Sequence, residues 1–215
     1  MDAQNCNPRA LASAQDEDEA FEVMEPPSVE FNVREDAPRP TGVRKRRADV
    51  HRDGDWHRST HAWLIDAATS RCAVQRRSGG KDTFPNRWDI SAAGHVGVAH
   101  GGDSREAAMS ELAEELGVTC LEPGDLEFQF TIPAAQAAIG GCNCFEDVYF
   151  AEWDVATRGD AFAVGAAEVV ATAWIDLDDL ERALERGDEE YVPRTALYRE
   201  HFFPAARAFV ARRRR

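Results

Sequence analysis

The sequence lacks the features that would send the chain to a membrane or out of the cell. No apolar run approaches the length of a bilayer span. Met1–Glu25 has no hydrophobic signal core, and Asp16, Glu17, Asp18 and Glu19 place acids where a transit peptide is poor in them. A soluble protein of the cytoplasm, without membrane contact, is the expectation. Basic residues are also scarce: 25 Lys and Arg stand against 39 Asp and Glu, for a net charge of −14. Nonspecific nucleic-acid binding, which depends on neutralising phosphates, is thereby excluded, whereas a small phosphorylated ligand held through a metal is not. No C-x-x-C pair occurs among the five cysteines, Cys6, Cys72, Cys120, Cys142 and Cys144. They read as reduced thiols; Cys142 and Cys144 share a strand face at i, i+2, but no matching cysteine pair completes a zinc site, so none is expected. There is no internal repeat.

What is present suffices for one domain with a sizeable core, since 43% of the 215 residues are hydrophobic. Residues 1–28 are acidic, polar and proline-containing, apart from a short apolar patch at Phe21–Met24, and read as a disordered tail; residues 29–215 form the domain. Glu30–Val33 alternates as an edge strand, and Asp36–Gly42 supplies a turn. The basic run Lys45-Arg46-Arg47 reads as solvated charge, with a phosphate contact as the minority reading. A hairpin follows, from a strand ending at Ile65 through Ala67–Ser70 to Cys72–Arg77. His57 and His61 on its first strand read as structural. After a loop from Lys81 to Ser91 come a glycine-rich segment and a helix. Further strands fall at Leu126–Ile132, Phe145–Trp153 and Glu168–Ile175. Asp176 caps a helix reaching Arg186, and a last helix starts near Pro193, with a kink expected at Pro204. The order indicates an α+β fold, a mixed central sheet sandwiched between helices.

The stretch that carries chemistry is Ala92–Val118, AAGHVGVAHGGDSREAAMSELAEELGV. Asp103 and Glu106 stand in the D-x-x-E relation of a capping box and Gly117 follows as the terminator, which predicts a helix over 104–116. Met109, Leu112, Ala113 and Leu116 fall at i, i+3, i+4, i+7 and predict its buried stripe. Glu111, Glu114 and Glu115 share another face. Like charges at these spacings repel by a few tenths of a kcal/mol per pair, roughly, and no cation one turn on relieves them. A hard divalent ion such as Mg2+ or Mn2+ does so, and such ions also bind substrate phosphates.

The same stretch resembles the Nudix box, G-x5-E-x7-R-E-U-x-E-E-x-G-U, where U is aliphatic: Glu111–Val118 (ELAEELGV) fills its second half. Trp56–Trp63 (WHRSTHAW), Gln75–Arg77, Lys81–His95 and Asp147–Tyr149 resemble the branch related to isopentenyl-diphosphate isomerase. The resemblance covers about Glu30 to Phe203. It implies a Nudix-type α/β/α sandwich that hydrolyses a diphosphate linked to another moiety, nucleoside or prenyl, with Mg2+ or Mn2+ as cofactor. By position Glu111, Glu114 and Glu115 become the metal ligands, and Gly94 the site of close backbone approach. Arg76, Arg77, Lys81 and Arg87 become the candidate phosphate contacts.

Departures from the pattern are specific. Counting back from Gly117, the first Glu of the box falls on Gly102 and its Arg on Ser110, Gly94 lies two residues too far upstream, and Asp103 is a partial substitute. This predicts a loosened loop and weakened activity. Relatives place a Glu where Cys144 stands; Glu146, two residues on along the same strand face, is the candidate replacement. The isomerases use a Cys just before the Gly-His pair and that later Glu; Ala93 and Cys144 occupy those places, which removes the proton donor and acceptor of an isomerisation. A Nudix-fold module that binds a nucleotide without turnover is the alternative from another class. The sequence fixes neither the substrate nor the oligomeric state.

Overall fold

A computed structural model describes residues 19–215. The N-terminal strand β1 (Ala20–Met24) pairs antiparallel with β2 (Pro40–Arg46), and α1 (Arg47–Asp53) follows directly. The strands β3 (His57–Asp66), β4 (Arg71–Arg77), β5 (Trp88–Asp89) and β6 (Ala92–His95) precede the helix α2 (Ser104–Leu116). Then come β7 (Glu127–Ala135), β8 (Asn143–Glu152), a single turn α3 (Val155–Arg158), β9 (Val169–Asp176), α4 (Leu177–Glu185) and α5 (Ala196–Arg213).

Seven strands make one mixed sheet. β3 and β8 run parallel through its centre, in register from His57 opposite Cys144 to Ile65 opposite Glu152. On its other edge β3 pairs with β4 only at Ile65–Cys72 and Asp66–Arg71, and nearer its start with β6, Ser59–Ala62 against His95–Ala92. β4 in turn meets β5 at Gln75 and Arg76, while β9 covers its far edge. The segment that carries β5 and β6 is thus wedged between two diverging strands, and the wedge opens the cleft described below.

Side chains of consecutive strand residues point to opposite faces, and here both faces are apolar. Trp63 and Ile65 of β3 enter the layer with Phe130, Phe150, Tyr198, Phe202 and Phe209 beneath α4 and α5. Ala62 and Leu64 enter the other, with Leu112 and Leu116 of α2. The result is the expected helix–sheet–helix sandwich. Fully burying each such large side chain contributes about 1.5–3 kcal/mol.

Several local expectations fail for identifiable reasons. Ala20–Met24, assigned to a tail ending at Ser28, is a strand because Phe21 is fully buried; the rest of the assigned tail before residue 19 lies outside the described residues. Glu30–Val33 is turn and loop rather than strand: Asn32 Nδ2 donates to Glu35 and its backbone N–H to Asp36, and the backbone bonds to the sheet through the Val33 carbonyl, which accepts from Thr131 N at 2.8 Å. Pro40–Arg46 is β2, so Pro40, Thr41 and Gly42 lie in strand rather than in the expected turn. α5 begins after Thr195, whose hydroxyl accepts from Tyr198 N, and it runs on through Pro204. The exposed ring forfeits one helical hydrogen bond, and fully buried Phe202, Phe203, Ala206 and Phe209 hold both halves on the sheet.

Candidate metal centre and cleft

α2 occupies the predicted residues, and its caps explain why. Asp103 accepts from Arg105 N at 2.8 Å and from Glu106 N at 3.4 Å, and Gly117 closes the other end at φ +65°. A side chain at Gly117 would also run into the Ala163 carbonyl, 2.6 Å from an added Cβ. The helix is rotated relative to the expected stripe. Ala107, Ala108, Leu112, Glu115 and Leu116 are buried, whereas Met109 and Ala113 are only half-buried. Glu115 therefore parts from its two neighbours on the helix and turns into the protein.

Its surroundings account for that. Glu115 accepts from Gln75 Nε2 at 2.6 Å, from Ala93 N at 2.9 Å and from Lys81 Nζ at 3.0 Å. Lys81 also pairs with Glu168. A buried carboxylate is tolerable only when its lone pairs are met in this way. Burial pushes the Glu115 carboxyl above its usual range, with Lys81 opposing. Burial also raises Lys81's cost of charge, yet Glu115 and Glu168 more than offset it and leave the ammonium harder to deprotonate than usual.

Glu111 and Glu114 instead face a cleft of about 310 Å³. Gly94 lies directly against Glu111: a Cβ there would sit 1.7 Å from Glu111 Oε1. Burial pushes the Glu111 carboxyl far up, and the Glu115 charge adds to it. Glu168 and Lys81 border the same space. Four carboxylates converging on one space, met by one lysine and a glycine that lets an oxygen approach the backbone, suit a hard divalent cation, so the donor set fits Mg2+ or Mn2+.

The other candidates separate. Arg77 borders the cleft, but its guanidinium is engaged by Asp89 at 3.1 Å and by Thr83 O and Oγ1 at 3.0 Å. Arg76 is exposed, donates to Asn86 O and lies over Trp88; Arg87 donates to Tyr191 O and lies over Phe84. Neither lines the cleft. Glu146 does, on the β8 wall, with Oε1 3.6 Å from Arg194 Nη1 and 3.8 Å from His61 Nε2. Burial, partly offset by Arg194, pushes its carboxyl to about 8. His61 also meets the Tyr198 hydroxyl at 3.3 Å, and burial holds its imidazole neutral.

Two further arginines, Arg47 and Arg194, line the cleft. Arg47 is the last residue of the basic run and contacts Asp82 at 3.1 Å and His95 Nδ1 at 3.3 Å. The sequence marked it only as part of a charge cluster. Arg194 pairs with Asp89 and approaches Glu146, and an isolated arginine before a helix carries no local signal.

The altered half of the box is tethered from elsewhere. Arg58 on β3 donates to Gly102 O at 2.6 Å, to Ser104 Oγ at 3.1 Å and to Asp147. It holds the longer loop at the start of α2, contrary to the expected loosening. Asp103 is exposed and spends its side chain on the cap, so it does not stand in for the absent Glu of the box. Cys144 packs against Cys142 and His57, with sulfur distances of 3.0 Å to Cys142 Sγ and 3.2 Å to His57 Nε2.

Residues 55–195 match the NUDIX domain. The chain belongs to the Nudix family. It is 36% identical over 166 residues to Nudix hydrolase 3 of Arabidopsis thaliana, which covers 76% of this chain but 21% of that much longer protein. It is 31% identical over 144 residues to an uncharacterised Nudix hydrolase of Clostridium acetobutylicum, covering 66% of this chain and 68% of that one. Among solved structures, DR0079 from Deinococcus radiodurans aligns with a TM-score of 0.53 at 20% identity, over 88% of this chain and 98% of that one. Across this Nudix fold, no helix among the described residues is long and apolar enough to cross a membrane.

Proposed function

We propose that the protein hydrolyses a diphosphate linkage in a small molecule, with a nucleoside or prenyl group as the second moiety and Mg2+ or Mn2+ as cofactor. The observation that carries the reading is the placement of Glu111 and Glu114 in one cleft with the Gly94 backbone packed against the Glu111 carboxylate. Glu111 and Glu114 would hold the ion, with Glu115, which Lys81 engages in this structure, as the third carboxylate beneath them. When bound, the ion neutralises the diphosphate and lowers the pKa of a coordinated water. The protein's own groups do the rest. Lys81 and Arg47 offer the phosphate oxygens charge-assisted donors in the cleft. Arg77 acts one step back, fixing Asp89, which in turn fixes Arg194 beside Glu146. Glu146 Oε1, on the wall formed by β8, is the proton-accepting position in its ionised form, which its carboxyl value of about 8 makes prevalent only at alkaline pH.

One observation favours a second reading, nucleotide binding without turnover: the Lys81 ammonium already lies between Glu115 and Glu168, where it does part of a metal's work. A single assay separates the two. The purified chain is incubated with Mg2+ or Mn2+ and ADP-ribose, NADH, dinucleoside polyphosphates, thiamine diphosphate or isopentenyl diphosphate, and products are resolved by chromatography. Metal-dependent cleavage of one compound is expected, abolished by EDTA. Tight binding of one with cleavage of none establishes the binding module instead.

A further inference from the structure

The loop that leads from Gly94 into α2 is two residues longer than the box pattern, and Ser110 stands where that pattern has its arginine. We propose that these two departures together create a subsite for a hydroxylated moiety, a ribose or another sugar, carried by the diphosphate, with His100 and Ser110 as its polar contacts. The subsite presupposes the diphosphate reading above and decides between the two kinds of group, nucleoside and prenyl, named there.

The extra residues form structure rather than slack. Val98–His100 is a single tight helical turn: His100 N donates to Gly97 O at 3.0 Å, and His100 O accepts from Asp103 N at 3.0 Å. Gly101 and Gly102 follow at φ +62° and +82°, a backbone that favours glycine. The glutamate that the box pattern places at 102 would be strained there. Arg58 holds the segment instead, donating to Gly102 O at 2.6 Å, while its own carbonyl accepts from Val96 N at 3.0 Å. One residue of β3 thus grips both ends of the turn, and His100 is fixed between them.

His100 lines the cleft that receives Glu111 and Glu114. Its Nδ1 is buried and has no hydrogen-bond partner, a cost in free energy that a bound polar group removes. Ser110 lines the same cleft, next to Glu111 and one helical turn before Glu114. An arginine at 110 would fill the space beside Glu114 with a long side chain. Serine leaves it open.

Charge decides what that space takes. With serine at 110, Glu111 and Glu114 lack the neighbouring cation of the box pattern, so a further phosphate beside them would meet carboxylates without a counter-charge on this side. A sugar hydroxyl carries no charge. It donates and accepts hydrogen bonds, as the serine hydroxyl does, and an imidazole nitrogen can meet it in either role. A prenyl chain suits the cleft less well. Phe84, Ala93 and Val192 supply its hydrocarbon surface among the described residues, and a prenyl group would leave His100 Nδ1 unmet. Sites built to hydrogen-bond a hydroxyl reject analogues that lack it, because their own polar groups are then stranded.

The test compares ADP-ribose, NADH and dinucleoside polyphosphates with isopentenyl diphosphate and thiamine diphosphate, which carry no hydroxyl outside their phosphates, on the full chain with Mg2+. KM and kcat are measured for each compound that is cleaved, and Kd by equilibrium dialysis for each that is only bound. The parent is expected to favour the best hydroxylated compound over the best hydroxyl-free one by about 10-fold or more, a factor within reach of one good hydrogen bond. His100→Leu and Ser110→Arg are each expected to cut that preference about 10-fold, with the loss in KM rather than kcat, the signature of lost uniform binding. His100→Gln, whose amide also donates and accepts, is expected to retain most of the preference. Circular dichroism verifies the fold of each variant. Equal losses on both kinds of compound, or no loss in either variant, overturn the proposal. So does a parent that favours a hydroxyl-free compound, and in that case diphosphate hydrolysis itself stands. A parent that neither binds nor cleaves any of the compounds removes the diphosphate reading and the subsite together.

Discussion

The carboxylate cluster of α2 and the imidazole–thiol cluster beside it differ in how the chain builds them. Glu111, Glu114 and Glu115 lie within two turns of one helix, whereas His51, His57, His95 and Cys142 are contributed by four segments spread over 92 residues of chain. The first can be displaced only by rotating the helix, which its caps and Leu112 forbid. The second depends on the register of β3 against β6 and β8, where Ser59 faces His95 and His57 faces Cys144. The carboxylates touch that pairing only through Ala93 N and Gly94 of β6. The clusters also differ in charge: one repels itself and is held by Lys81, the other is built from groups that can all be neutral.

Breaking the carboxylate side at Glu114, a proposed metal ligand, gives the largest expected effect. Glu114→Gln keeps the shape of a half-buried side chain and removes its charge. Turnover is expected to fall about 10³-fold, equivalent to about 4 kcal/mol of transition-state stabilisation, with the melting temperature unchanged. Steady-state kinetics and a thermal scan check this, and an unaltered rate would mean that the acidic face is merely solvated.

Removing the internal cation comes next. Lys81→Met leaves Glu115 and Glu168 without their ammonium, and breaking a buried pair from one side costs about 3–5 kcal/mol. Urea unfolding is the measurement. Added Mg2+ should recover part of the loss in this variant and much less in the parent. Loss without any recovery would separate Glu115 from the metal.

Gly94→Ala probes the wall the two clusters share. The new methyl would fall 1.7 Å from Glu111 Oε1, so the carboxylate must move by more than 1 Å. A misplacement of that size costs about 100-fold in rate. The fold should hold, because His95 keeps its pairing with Ser59. Kinetics and a thermal scan on the same preparation read both.

The contrast also explains what the sequence revealed. Asp103, Gly117 and the spacing of the glutamates defined α2 to the residue, because caps and helical period are local. The hairpin β3–β4 was equally visible through its apolar alternation and short turn. By contrast, nothing local distinguishes Glu115 from Glu114. The buried one is chosen by Gln75, Ala93 and Lys81, which approach from 22 to 40 residues away. Phe21 failed the same way: a short apolar patch in a polar segment has no period, and three histidines from elsewhere give it a place to pack. Cysteine spacing said little for a related reason, since the partners that Cys142 and Cys144 find are imidazoles rather than a second cysteine pair.

The smallest expected effect concerns the scaffold behind both clusters, the buried Asp89 between Arg77 and Arg194. Burial alone would raise its carboxyl, but the two guanidinium groups, Arg194 foremost, hold it down to about 2 from an ordinary 3.8. A depressed carboxylate stabilises the fold fully above its unfolded value, and that contribution is lost as pH falls from about 4 through about 2. The shift corresponds to about 2 kcal/mol. Asp89→Asn retains the size of the side chain and lacks the titration. Urea unfolding of the parent between about pH 5 and about pH 2 should thus show a loss about 2 kcal/mol larger than that of Asp89→Asn. Equal losses would place the acid sensitivity in surface pairs instead, and would leave Arg194 held beside Glu146 by packing rather than by charge.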